Sequence, residues 1–132
     1  MLKTGILNPQ ILSLLARVRH TNLLVIANRR FPFWPEIETV DISLLDGIPS
    51  ILQVLQVILP NFDCGSIWMA QEFLDNNLTV TQALFRQAAG SIPLKFGPFV
   101  KFKLRVPQAI GVIRTGDGLQ YANMIPVSEA VS

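Results

Sequence analysis

Residues Leu23 to Ala27 read Leu-Leu-Val-Ile-Ala, an unbroken apolar run between Asn22 and Asn28. A strand with one face in water alternates apolar and polar side chains, so a continuous run needs both faces covered. The chain is therefore expected to place this strand inside a sheet with material packed on each side, the habit of α/β proteins.

The rest of the sequence supplies the covering layers. Asn8 followed by Pro9 is a helix start, a capping side chain and then proline at the first helical position. Ile11, Leu12, Leu15 and Val18 follow at helical spacing and carry the predicted helix into His20. Ser50 to Leu59 and Thr79 to Ala89 are predicted helices, the second stopped by Gly90. Further strands are expected over 38–43, 66–70, 92–96, 110–115 and 121–126. Gly116-Asp117-Gly118 is a turn signal between the last two. Phe99 to Arg105 fits strand or helix. With no repeats, linkers or low-complexity segments, the 132 residues read as one layered α/β domain spanning 1–132, a central mixed sheet flanked by helices.

Charged residues make up only 15% of the chain and hydrophobic ones 50%. A soluble domain is typically about 25% charged. So few charges cannot cover a monomer's surface, which predicts a homo-oligomer with a large apolar interface. The apolar N-terminal stretch is broken at Asn8-Pro9-Gln10, which leaves no signal-peptide core. Ile51 to Leu59 is interrupted by Gln53 and Gln56 and is too short to span a bilayer. Cys64 is the single cysteine, so no intrachain disulfide forms. The expected location is the cytoplasm, with no membrane partner.

Candidate chemistry is sparse. His20 is the only histidine and has no carboxylate or thiolate companions at metal-ligand spacing, so no metal site is expected. It is either a helix-terminal residue favoured by the helix dipole or an acid/base group. Asn28 follows the buried strand, at the end where open α/β sheets place ligands. Strand alternation would put Tyr121 and Asn123 on one face, a phenol and an amide able to meet carbohydrate hydroxyls. The commoner role of such a pair is closing a turn. Lys95, Phe96, Phe99, Lys101, Phe102, Lys103 and Arg105 interleave charge with aromatic rings, as single-strand nucleic-acid binders do. A net charge of +2 is too small for that reading, and an amphipathic element with a solvated basic face is preferred; no nucleic-acid partner is expected.

Several segments, in order, resemble the D-ribose pyranase/L-fucose mutarotase family. They are Leu2-Lys3-Thr4-Gly5-Ile6-Leu7-Asn8-Pro9, His20-Thr21-Asn22 with its strand, Val40-Asp41-Ile42-Ser43-Leu44 with Gly47-Ile48-Pro49-Ser50, Val112-Ile113-Arg114-Thr115-Gly116, and Tyr121-Ala122-Asn123. The resemblance spans the chain and is weakest from Asn61 to Phe99. It implies an α/β fold and ring-like homo-oligomers, often decamers, with the active site at a subunit boundary. It also implies cofactor-free interconversion of the pyranose and furanose forms, or the anomers, of a monosaccharide such as ribose or fucose. On this resemblance His20 matches the family's acid, and Tyr121 and Asn123 match its sugar contacts. A non-catalytic sugar-binding relative is the alternative reading.

Two positions depart from the family pattern. The family aspartate at the end of the first strand is Asn28 here, and a second family histidine aligns to Phe99. An amide does not accept a proton at neutral pH, and a phenyl ring does not titrate. On this basis Asn28→Asp is expected to raise exchange activity. Arg29 and Arg30 stand where small residues are expected. They either contact an acidic sugar, or point to solvent or pair with Glu36 and Glu38 across the loop.

Overall fold

A computed structural model describes residues 1–129. In chain order the elements are α1 (Pro9–Ala16), β1 (Leu23–Ala27), β2 (Thr39–Asp41), α2 (Ile51–Ile58), β3 (Cys64–Ala70), α3 (Glu72–Asn76), α4 (Thr79–Ala89), β4 (Leu94–Gly97), α5 (Phe99–Arg105), β5 (Ala109–Arg114) and β6 (Ile125–Ser128). The six strands form one mixed sheet in the order β2-β5-β1-β6-β3-β4. β1 runs parallel to β5, β5 to β2, and β3 to β4, whereas β6 is antiparallel to both of its neighbours.

The continuous apolar run does what its composition demands. Leu24 and Ile26 point into one core with Leu14 of α1 and Leu55 and Ile58 of α2. Val25 and Ala27 point the other way, onto Phe31, Ile37, Phe102 and Val106. The strand is thus sandwiched, with Leu24 to Ala27 fully buried. Either face of such a strand loses about 1.5–3 kcal/mol per large side chain left in water, so both layers are needed.

The helix boundaries follow capping chemistry. Asn8 Oδ1 accepts from Ile11 N at 2.9 Å. At α2, Ser50 and Gln53 form a reciprocal capping box, Gln53 N to Ser50 Oγ at 3.1 Å and Ser50 N to Gln53 Oε1 at 2.8 Å. Helix α1 stops at Ala16, short of the His20 expected from its apolar spacing. Arg17 caps it, and Asn22 Oδ1 accepts from Arg19 N at 2.7 Å, turning the chain into β1. α3 was not evident from the pattern, and Phe99 to Arg105 resolves as a helix. The run at 121–126 becomes a strand only from Ile125, since Tyr121 sits in a turn with φ +55°. The strands flanking Gly116-Asp117-Gly118 do not pair with one another, because β1 lies between them. Among the described residues no helix is long and apolar enough to cross a membrane.

Candidate active site

β1, β5, β3 and β4 all deliver their carboxyl ends to one edge of the sheet, and antiparallel β6 begins there. Residues distant in sequence therefore meet: Asn28 follows β1, Phe99 follows β4, and Asn123 precedes β6. They line a cleft of about 420 Å³ together with Arg30, Phe31, Pro32, Gly118, Gln120 and Tyr121. Carboxyl ends of parallel strands are the usual ligand position in open α/β sheets.

The floor of the cleft is held by hydrogen bonds to buried groups. Asn123 Oδ1 accepts from Asn28 N at 2.7 Å. Asn28 Nδ2 donates to Leu119 O at 3.1 Å, and Asn28 Oδ1 accepts from Arg30 N at 3.1 Å. Both asparagines are buried. The amide of Asn28 is therefore built into the frame as a simultaneous donor and acceptor. An ionised aspartate would set an oxygen against the Leu119 carbonyl, where the amide now donates. The expectation that Asn28→Asp raises activity is replaced by its opposite on this geometry.

Beneath the floor, Thr115 Oγ1 donates to Ala27 O at 2.8 Å and accepts from Asp117 N at 3.1 Å. The buried Asp117 carboxylate accepts from Leu119 N and, at the start of α2, from Ile51 N, each at 2.9 Å. A carboxylate at a helix N-terminus is favoured by the helix dipole. Asp117 O accepts from Arg29 N at 2.9 Å, tying the turn to the loop after β1. Gly116 is obligatory here because a Cβ would collide with the carbonyl oxygens of Leu45 and Ile48. The Gly-Asp-Gly signal marked a turn in the sequence; its role as the buttress of the cleft was not read from it.

Aromatic rings form one wall. Phe99 meets Tyr121 edge-on at 5.3 Å between centroids and stacks on Phe102 at 5.9 Å. Glu72 fixes this wall: both carboxylate oxygens accept from Phe99 N at 3.1 Å. Tyr121 and Asn123 do share the cleft, although a left-handed turn residue and a loop, not strand alternation, bring them there. In the basic segment, Phe102 is buried while Lys101 and Lys103 are exposed. Arg105 and Lys95 lie over the Trp68 ring at 3.8 Å and 5.4 Å.

Two expected site residues lie elsewhere. His20 is exposed in the turn before β1, at the opposite end of the strand from Asn28. Five strand residues separate the two ends by roughly 16 Å at about 3.3 Å per residue, so His20 does not reach the cleft of its own chain. Arg29 is not among the lining residues and pairs with Asp46 at 2.5 Å, its guanidinium beside Gly118 at the rim. Neither arginine pairs with a glutamate of the loop, since Glu38 takes Arg17 instead at 2.6 Å. Arg30 lines the cleft. Among the described residues no cluster of three or more His, Cys, Asp or Glu could hold a metal.

The model of the RbsD / FucU transport protein family matches residues 1–129. D-ribose pyranase of Geobacillus kaustophilus is 38% identical over 125 residues, covering 95% of this chain and 91% of that one. D-ribose pyranase of Chromobacterium violaceum is 39% identical, covering 95% of each. The chain belongs to the RbsD/FucU family. Within that family, the solved structure of Bacillus subtilis RbsD complexed with D-ribose superposes over the full length of both chains with a TM-score of 0.91 and 27% identity. The fucose mutarotase of Streptococcus pneumoniae, solved with L-fucose, matches at TM-score 0.78 and 18% identity, covering 95% and 94% of the two chains, and so shares the RbsD/FucU fold.

Proposed function

We propose that the chain is a sugar-ring isomerase that interconverts ring forms of a monosaccharide, and that its active site combines this cleft with His20 of a second copy. The observation that carries the reading is the cleft itself. In a chain of the RbsD/FucU family, the Asn28, Phe99, Tyr121 and Asn123 expected to contact sugar line one pocket.

Ring interconversion is proton chemistry. A base takes the proton of the anomeric hydroxyl, the C1–ring oxygen bond breaks, and its electron pair leaves with the ring oxygen, which takes up a proton. C1 becomes a free carbonyl. A hydroxyl then adds to either face of C1, loses its proton and returns one to the carbonyl oxygen, so the net proton count is unchanged. No redox or group-transfer step occurs, and the chemistry calls for no cofactor. Tyr121, Asn123 and Gln120 offer hydroxyl and amide partners of fixed direction to the sugar. Asn28 does less, since its side chain is already bonded to Leu119 and Arg30. Phe99 adds an apolar wall beside these polar groups.

The cleft of one chain holds no group of a type that titrates near neutral pH. Histidine is that type, and it serves both as donor and as acceptor. His20 is solvent-exposed at the far end of β1, away from its own cleft, so on this reading the group comes from a neighbouring copy. Exposed apolar side chains support an assembly in which this happens. Leu7, Ile48 and Val57 are about half exposed around a groove between the N-terminal segment and α2. A ring-like homo-oligomer such as a decamer, acting in the cytoplasm, fits this reading. Magnetisation-exchange NMR on D-ribose and L-fucose tests it. Wild-type protein accelerates exchange among ring forms and His20→Ala does not. Binding without acceleration by the wild type would favour a non-catalytic sugar-binding protein.

A further inference from the structure

We propose that the cleft selects a monosaccharide carrying an acidic group, a carboxylate or a phosphate, and that Arg30 is the residue that selects it. The inference rests on the sugar-ring reading above and adds the charge of the substrate.

The nine residues that line the cleft include one cation, Arg30, and no carboxylate. The position after β1, where the family pattern has an aspartate, is the neutral Asn28, and its amide is fixed as such by Leu119 O and Arg30 N. Arg29 is neutralised by Asp46, which lies over Gly118 at the rim. Among the described residues, no ion pair engages Arg30. Glu72 is the acid bonded to a lining residue, and its two oxygens serve the backbone of Phe99. Lys103 sits over the Phe99 ring at 5.7 Å and adds to the positive field.

The backbone that carries Arg30 is held on every side. Its own N–H donates to Asn28 Oδ1, Arg29 N donates to Asp117 O, and Phe31 N donates to Asn28 O at 3.3 Å. Arg114 Nη1 donates to the carbonyls of Arg29 and Phe31, at 3.2 Å and 2.6 Å. Phe31 is buried and anchors the loop in the second core. A guanidinium on so fixed a base, beside the amides read as sugar-binding and with no acid among the described residues of its own chain to satisfy it, is arranged for an external anion. Its planar fork matches a carboxylate or phosphate bidentately, which a neutral pentose does not offer.

Titration calorimetry of D-ribose, L-fucose, D-galacturonate and D-ribose 5-phosphate at low and physiological ionic strength tests the proposal, using wild-type protein and Arg30→Gln. Arg30 is exposed, so the variant folds. The acidic sugars are expected to bind at least on the order of tenfold more tightly than the neutral ones, the worth of one charge-assisted hydrogen-bond pair. That preference weakens as salt rises and collapses in Arg30→Gln. The galacturonate and phosphate arms distinguish the two anions. Neutral sugars that bind as tightly as acidic ones would overturn the proposal, and so would a preference that persists in Arg30→Gln. Inorganic phosphate that competes as well as the sugar phosphate would overturn it too, because the sugar would then go unrecognised. Accelerated ring exchange of the neutral sugars in those cases leaves the isomerase reading standing. No binding and no exchange with any of the four sugars rejects both.

Discussion

The two ends of β1 are built on opposite principles. At the carboxyl end, Asn28 is buried and its backbone and side chain make hydrogen bonds to Asn123, Leu119 and Arg30. Fixed donors and acceptors surround a cleft there, but no histidine or cysteine among the described residues lines it. At the amino end, His20 is exposed in a turn whose next residue, Thr21, has φ +72°. The one histidine of the sequence is there, but no wall of its own chain surrounds it. On the proposed reading, one end is a binding site without an acid/base and the other an acid/base without a binding site. The difference is the ground for the proposal that the functional unit is two copies of the chain, each giving one end of its β1.

The largest effect that breaks this comparison is at the amino end. His20→Ala is expected to lower ring-exchange rate by roughly 10²–10⁴-fold, the worth of one acid/base group, while sugar binding persists. Exchange NMR and calorimetry on the same sample read both, and an unchanged rate would remove His20 from the chemistry.

Damage at the carboxyl end takes a different form. Asn123→Ala leaves the buried N–H of Asn28 without its acceptor, at a cost of about 1–3 kcal/mol in stability. On the proposed reading it also removes a sugar contact, so a lowered unfolding midpoint and weakened sugar binding should appear together. Asn28→Asp is expected to lose both stability and exchange rate at neutral pH, because the carboxylate confronts Leu119 O. A gain in rate would restore the idea that a carboxylate is what this cleft lacks.

The surrounding ion pairs matter less. Arg29 and Asp46 are solvent-exposed, and Asp46→Ala is expected to cost less than about 1 kcal/mol. Smaller still is the pH effect at Asp41. Its burial raises the carboxyl, but hydrogen bonds from Ser43 and the Arg114 charge outweigh this and hold it below its ordinary 3.8. A depressed carboxylate stabilises the fold above the unfolded value, and that contribution is lost as pH falls from about there through the folded one. Acid unfolding of Asp41→Asn should therefore show a shallower stability loss below pH 4 than the wild type.

Much of the frame was legible in the sequence because local chemistry decided it. Leu23 to Ala27 had no polar residue to stop it before Asn28, and Gly90 closes α4 with a positive φ that favours glycine. Errors arose where tertiary contacts overrode local pattern. Val18 continued the helical spacing, yet the Asn22 side chain captures Arg19 N and ends the turn. Tyr-Ala-Asn mimicked strand alternation, yet Tyr121 adopts a left-handed turn, and Asn77 Nδ2 bonds the neighbouring Gln120 O. The five-residue α3 is too short for periodicity to reveal. For the site, periodicity placed Asn28 at a strand end, but only resemblance joined it to Tyr121 and Asn123 across 95 residues. The resemblance implied a site at a subunit boundary, but neither it nor periodicity said which side of that boundary His20 comes from. Asp117 was visible only as a turn residue, since its carboxylate meets α2 through the fold.

The most direct test of the two-copy site is subunit mixing. His20→Ala and Tyr121→Phe variants are assayed alone, and then after unfolding and refolding together at equal amounts, by exchange NMR on the sugar that the wild type turns over best. The account predicts that each variant alone is nearly inactive, that both are oligomeric by light scattering, and that the mixture recovers up to about a quarter of wild-type rate. That fraction is the share of sites in which random assortment joins an intact His20 to an intact cleft across an interface. A mixture no more active than its components, or a fully active monomer, would contradict it.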